Sequence, residues 1–241
     1  MINGTTISAE HHVLIDALHD EEAKLAALIE EMRSFDPTQL TKEEIEKRDN
    51  KIKEVKELDP KITEQELDYY RKVDVPALFM GRFYDRLERL SAKIILLSAC
   101  VIEASINEYI AFKIDEAGDH DLFNDIEKID IIKKWTLVPR LFNKNYQFDK
   151  SGQLYQRLLE LKRNRDAFTH YKITMERSGK KVLKGSPHPR PGETMQEEAE
   201  ILMEYSKLPA ALVKHLLDSD DSMFPPLQML YFQLHRKVSN S

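Results

Sequence analysis

Apolar residues recur at helical spacing along most of this chain. Leu14, Leu18, Leu25, Leu28, Met32 and Phe35 lie three, four or seven positions apart, which puts them on one stripe of a helix. Ser8 is placed to cap that helix and Asp36-Pro37 to stop it, so a helix is expected over residues 8–35. A second should start near Thr41, with Glu44 as its capping-box partner and Ile45, Ile52 and Val55 as its stripe. Asp59-Pro60 ends it, and a short third segment covers residues 63–70. The first third therefore reads as a charged helical hairpin: a coiled-coil arm, a partner-binding extension or, on balance, a solvated helical layer.

From Arg82 to Ala117 there is neither Gly nor Pro. Phe83, Leu87, Leu90, Ile94, Leu97, Val101, Ala104 and Tyr109 are spaced for burial, and Leu96, Cys100 and Ala111 widen the apolar face. That breadth predicts a central helix touched by other helices on several sides. Gly118 should end it. A further helix is expected over residues 124–142, anchored by Trp135 and bent or ended at Pro139. Another should run from Gln153 to His170. Residues 172–177 and 180–184 flank Ser178-Gly179 and could form a small β-hairpin. A long helix over 194–217, interrupted at Pro209, and a short one after Pro225-Pro226 complete the pattern. The expectation is an all-α bundle, divided into a charged extension over 1–80 and a helical domain over 81–241.

Composition agrees. The 241 residues include only 7 Gly, and charged residues make up 32%, which favours helices over a turn-rich β fold. One cysteine rules out an intrachain disulfide framework. The N-terminus does not fit a secretory signal, and the longest apolar run, over 94–102, is interrupted by Ser98 and short for a membrane span. The expected setting is cytoplasmic, with no membrane partner.

Charge is unevenly placed. The net charge is −6, yet residues 150–190 hold eleven Lys and Arg against three acids, a local +8 that leaves −14 on the remainder. One basic strip on an acidic protein can attract a polyanion locally. Within the strip, Lys162, Arg163, Asn164, Arg165, Asp166, His170 and Lys172 follow one another closely. Asp166 and His170 are four apart and share a helix face, as does Arg163. Arg165 follows the stripe of Leu154, Leu158 and Leu161 and should point into a cleft or an interface, because burying a guanidinium unpaired is costly. These residue types suit RNA cleavage without a metal. A histidine can take the 2′-hydroxyl proton near neutral pH, and an arginine can stabilise charge growing on the phosphate.

The stretch from Arg165 to His170 resembles the Arg-x4–6-His motif of the HEPN superfamily in its x4 form, and Arg163-Asn164 gives an x6 match to the same histidine. The helix carrying residues 98–109 resembles the first long helix of that superfamily, and residues 132–139 resemble a short helix seen in several bacterial members. The resemblance covers residues 83–217. It implies a homodimer whose motif helices meet across a two-fold axis, RNA as substrate, and no cofactor or metal. It also implies a bacterial defence or toxin setting with a cognate antitoxin or regulator. In this reading Arg165 and His170 are catalytic and Asp166 orients His170, while Lys162, Arg163, Asn164 and Lys172 bind substrate. One departure stands out. Superfamily toxins paired with a nucleotidyltransferase antitoxin often carry a tyrosine two after the histidine; here Lys172 holds that place and Tyr171 precedes it.

Plainer readings stand beside these. The superfamily includes noncatalytic RNA- or protein-binding modules. Arg165 and Arg163 could pair structurally with Glu103 or Asp166, and His170 could cap a helix end. Glu103 and Asn107 read as core polar residues or as partners supporting the site. His12, Asp16 and His19 imitate metal-ligand spacing on an exposed face, and Cys100 is expected to be a buried small residue.

Overall fold

The computed structural model describes residues 9–36, 39–71, 75–118, 120–169, 172–175, 181–184, 195–219 and 225–235. Its axis is α4 (Val75–Ala117), 43 residues long and therefore roughly 65 Å from end to end. Against it lie α1 (Ala9–Arg33) and α9 (Met195–Ser219), which also touch each other. These three helices hold most of the core. Ile15, Leu18, Leu25 and Leu28 of α1, Ile94, Val101, Ile106 and Tyr109 of α4, and Leu212, Val213 and Leu216 of α9 are all 0–1% exposed. Two partners on different sides explain why α4 is apolar over so wide an arc.

The expected boundary at residue 80 falls inside α4, and α1 shares the core of the residues after it. The outlying part of the first third is α2 (Lys42–Leu58) with α3 (Glu64–Arg71). α2 has no buried residue, and Ile45 on its stripe is exposed. Thr41 caps it reciprocally with Glu44, and Thr63 and Glu66 do the same for α3. Arg82 of α4 ties the arm to the body: its Nε lies 2.5 Å from Glu44 Oε1, and Nη2 donates to the Gln39 carbonyl at 2.6 Å.

Two of the expected helices and one residue depart from expectation. The single helix over 124–142 is three: α5 (His120–Glu127), α6 (Ile131–Leu137) and α7 (Pro139–Phe142). Asp130 makes the break by accepting a hydrogen bond from the Ile132 N–H, which caps α6. α9 runs unbroken through the buried Pro209. Cys100 is exposed, because the burial arc of α4 passes through Ala99, Val101 and Ile102 and leaves position 100 outside it. Over Gly81–Ala117 this helix is also long and apolar enough to cross a membrane, with just over half of its most apolar window buried in the bundle. Gly118 ends α4 at φ +72°, where a side chain would be strained.

α8 (Gln153–Thr169) packs on both α4 and α9, burying Leu158 and Leu161. Its entry is an Asp149 turn: the carboxylate accepts from the Ser151 N–H at 2.8 Å and from its hydroxyl at 2.6 Å. A Cβ on Gly152 would sit 2.9 Å from that carboxylate. After α8, β1 (Lys172–Met175) and β2 (Lys181–Lys184) pair antiparallel with Lys172 opposite Lys184, as the expected hairpin requires. α10 (Pro225–Leu234) closes the bundle against α9.

Candidate functional site

Within the basic strip, Lys162 to Asp166 occupy the last turns of α8. Arg165 is 27% exposed and lies at the junction with α4 and α6. Its Nε and Nη2 donate to Asp166 Oδ1 at 3.1 and 2.8 Å, and Nη1 lies 3.5 Å from Glu103 Oε2 on α4. Glu103 extends its other oxygen to within 3.6 Å of Lys134 Nζ on α6, and Lys134 donates to Asn107 Oδ1 at 2.9 Å. At the opposite end, Asp166 Oδ2 receives Lys162 Nζ at 2.7 Å, and Lys162 stands 3.4 Å from Asp130 Oδ2. The result is one chain of alternating charge across three helices: Lys134, Glu103, Arg165, Asp166, Lys162, Asp130.

Two members of this chain, Asp166 and Lys162, are held in their charged forms by their neighbours. Burial raises the pKa of the Asp166 carboxyl, but the hydrogen bonds from Lys162 and Arg165 outweigh it and hold the group below the ordinary aspartate value. The same Asp166 bond raises Lys162. Nearby, although Cys100 as a residue is exposed, the loss of water around its thiol and the Glu103 charge push the thiol up, away from the thiolate form a nucleophile needs. Lys134 is only 1% exposed, so the Asn107 bond and the Glu103 charge are what make its burial tolerable.

The expected residues therefore divide. Arg165, Asp166 and Lys162 are brought together. Both Asp166 oxygens are engaged by Lys162 and Arg165, so its observed partners are these two. Arg163 is exposed and forms no ion pair among the described residues. Asn164 turns to α9 and donates to the Tyr205 hydroxyl at 3.1 Å, which fastens α8 to that helix. His170 lies outside the described residues, as does the side chain of Lys172. Glu103 and Asn107 are the supporting partners that the sequence left open. Lys134 and Asp130 were missed; a lysine beside Trp135 on the apolar side of a short helix was the available signal.

A second constellation imitates catalytic geometry. His11 Nε2 is 3.4 Å from Ser105 Oγ, and its Nδ1 is 3.0 Å from Glu108, the order of a serine–histidine–carboxylate relay. Yet Ser105 and His11 are 0–1% exposed, and the serine hydroxyl donates to the Val101 carbonyl at 2.7 Å. No substrate can reach that oxygen, and the trio serves to seat α1 on α4. Among the described residues no group of three His, Cys, Asp or Glu side chains could hold a metal, the His12–Asp16–His19 face included. No family model, curated protein or solved structure matches this chain.

Proposed function

We propose that this chain is a HEPN-like, metal-independent endoribonuclease acting as a homodimer, with Arg165 and His170 as its catalytic residues. The observation that carries the reading is the setting of Arg165. Five N–H donors leave a guanidinium, and Asp166 takes only two of them. The group is thus fixed in direction, partly open to solvent, and still able to donate to a phosphate oxygen without reorganising. Arg165 stands five positions before His170 in the sequence, and in this reading the two serve the same scissile phosphate. In the reaction His170 takes the proton from a ribose O2′, the O2′–P bond forms, the P–O5′ bond breaks, and a proton returns to O5′. Asp166 and Glu103 orient Arg165.

The decisive measurement uses purified full chain, EDTA and single-stranded RNA. Wild type should cleave, and His170→Ala should lose about 100-fold or more of the rate while Trp135 emission, reporting the fold, stays unchanged. Equal cleavage by wild type and His170→Ala would remove the assignment. One observation favours a second reading, a noncatalytic RNA-binding module: two carboxylates already compensate the Arg165 charge. Binding without cleavage would select it.

A further inference from the structure

Between α6 and α8 lies an open groove of about 480 Å³, bounded below by the turn that starts α8. Its cations come from three separate pieces of chain: Lys133 of α6, Lys150 of the turn, and Lys162 and Arg163 of α8. The carboxylate in its lining is Asp130, which already caps α6 and faces Lys162. Lys133, Lys150 and Arg163 are exposed and form no ion pair among the described residues. Elsewhere on this acidic protein cations are commonly spent on carboxylates, as Arg86 is on Glu31 and Arg157 on Glu160 and Glu204. A concentration of uncompensated cations in a concave site raises the local potential for an anion.

The floor adds a second chemistry. Tyr155 lines the groove with a ring held edge-on by Phe148 at 6.2 Å. A fixed, half-buried aromatic face beside a row of cations suits an unpaired base stacked beside its own phosphates. The groove also leads somewhere. Lys162 is both its inner wall and a member of the charge chain holding Arg165, and the two residues differ by about 4.5 Å of helix rise.

We infer that the α6–α8 groove binds the phosphodiester backbone of single-stranded RNA and leads the strand to Arg165. This inference rests on the RNA-directed reading of the site and assigns it a binding track, with Lys133 and Lys150 as contacts outside the motif helix. A duplex is a poorer fit, because stacked, paired bases cannot turn onto Tyr155.

The test compares full-length wild type, a Lys133→Gln/Lys150→Gln/Arg163→Gln triple variant and His170→Ala. Each is measured for binding to labelled single-stranded polyuridine over a salt series and for its cleavage. The three substituted side chains are exposed and form no ion pair among the described residues, so Trp135 emission should match wild type. The triple variant should bind at least 10-fold more weakly, with the salt slope reduced by about 2, the value for three lost contacts on a single strand. His170→Ala should bind as wild type does. If the triple variant binds and cleaves like wild type, the groove is not the track and the nuclease reading stands alone. If it loses binding while wild type binds but never cleaves, the track stands and the nuclease reading falls. If wild type does not bind RNA at all, both fall.

Discussion

A lysine with 1% exposure is the sharpest residue-scale feature here. Lys134 could be buried only because Asn107 supplies an oxygen at 2.9 Å and Glu103 a charge at 3.6 Å. Removing the acceptor without removing the charge should therefore cost more than removing both. Asn107→Ala is expected to destabilise by about 2–3 kcal/mol, and adding Lys134→Met should recover most of the loss. Urea unfolding followed by Trp135 emission checks this, since that single, fully buried indole reports the core directly. Equal penalties for the single and the double variant would show that the ammonium does not depend on Asn107. The same scale shows what the sequence could and could not say about the site. Arg165 and Asp166 were legible from residue type and spacing. Their pairing was legible only as one of several alternatives, Arg165 or Arg163 with Glu103 or Asp166, because which guanidinium faces Glu103 depends on how α8 packs on α4.

The α2–α3 arm poses the element-scale question. α2 buries none of its residues, so its attachment depends on polar contacts at its start. The Arg82 bond and the two Thr41 bonds hold the Glu44 carboxyl at about 2, below the usual 4.5. A depressed carboxylate stabilises the fold above its unfolded pKa and loses that contribution as pH falls through the folded value. Wild type should therefore lose on the order of 1 kcal/mol between pH 4.5 and 2 that Glu44→Gln does not lose. Urea midpoints across that window measure it, and parallel acid limbs for the two proteins would show the bridge to be idle. Element existence was readable from periodicity and caps: Thr41 and Glu44 placed α2, and Gly118 placed the end of α4. The split between α5 and α6 was less so, since Asp130 is an ordinary polar residue until its carboxylate is seen on the Ile132 N–H.

At the scale of the molecule, α1 is a structural member of the bundle. Its Leu25 and Leu28 are fully buried beside α4 and α9. Leu28→Ala should cost about 2–5 kcal/mol, read as a lower urea midpoint by Trp135 emission. A loss below about 0.5 kcal/mol would mean that α1 is the detachable layer its charge suggests. The expected outcome follows from the packing, since three helices share one core and truncating any of them leaves a cavity. The apolar window of α4 has the same origin, with more than half of it covered by its neighbours.

The sequence by itself determined the helices, most of their caps and the concentration of positive charge over 150–190, because each depends on spacing within a few turns of chain. The tertiary structure decided which charges are spent and which are available. Arg165 is held by carboxylates on its own helix and on α4, while Lys133, Lys150 and Arg163 converge on one groove without an ion pair among the described residues. Spacing along a chain sets which side a residue occupies. Whether an opposite charge stands within 4 Å of it depends on helices far apart in sequence, and only their packing brings them together.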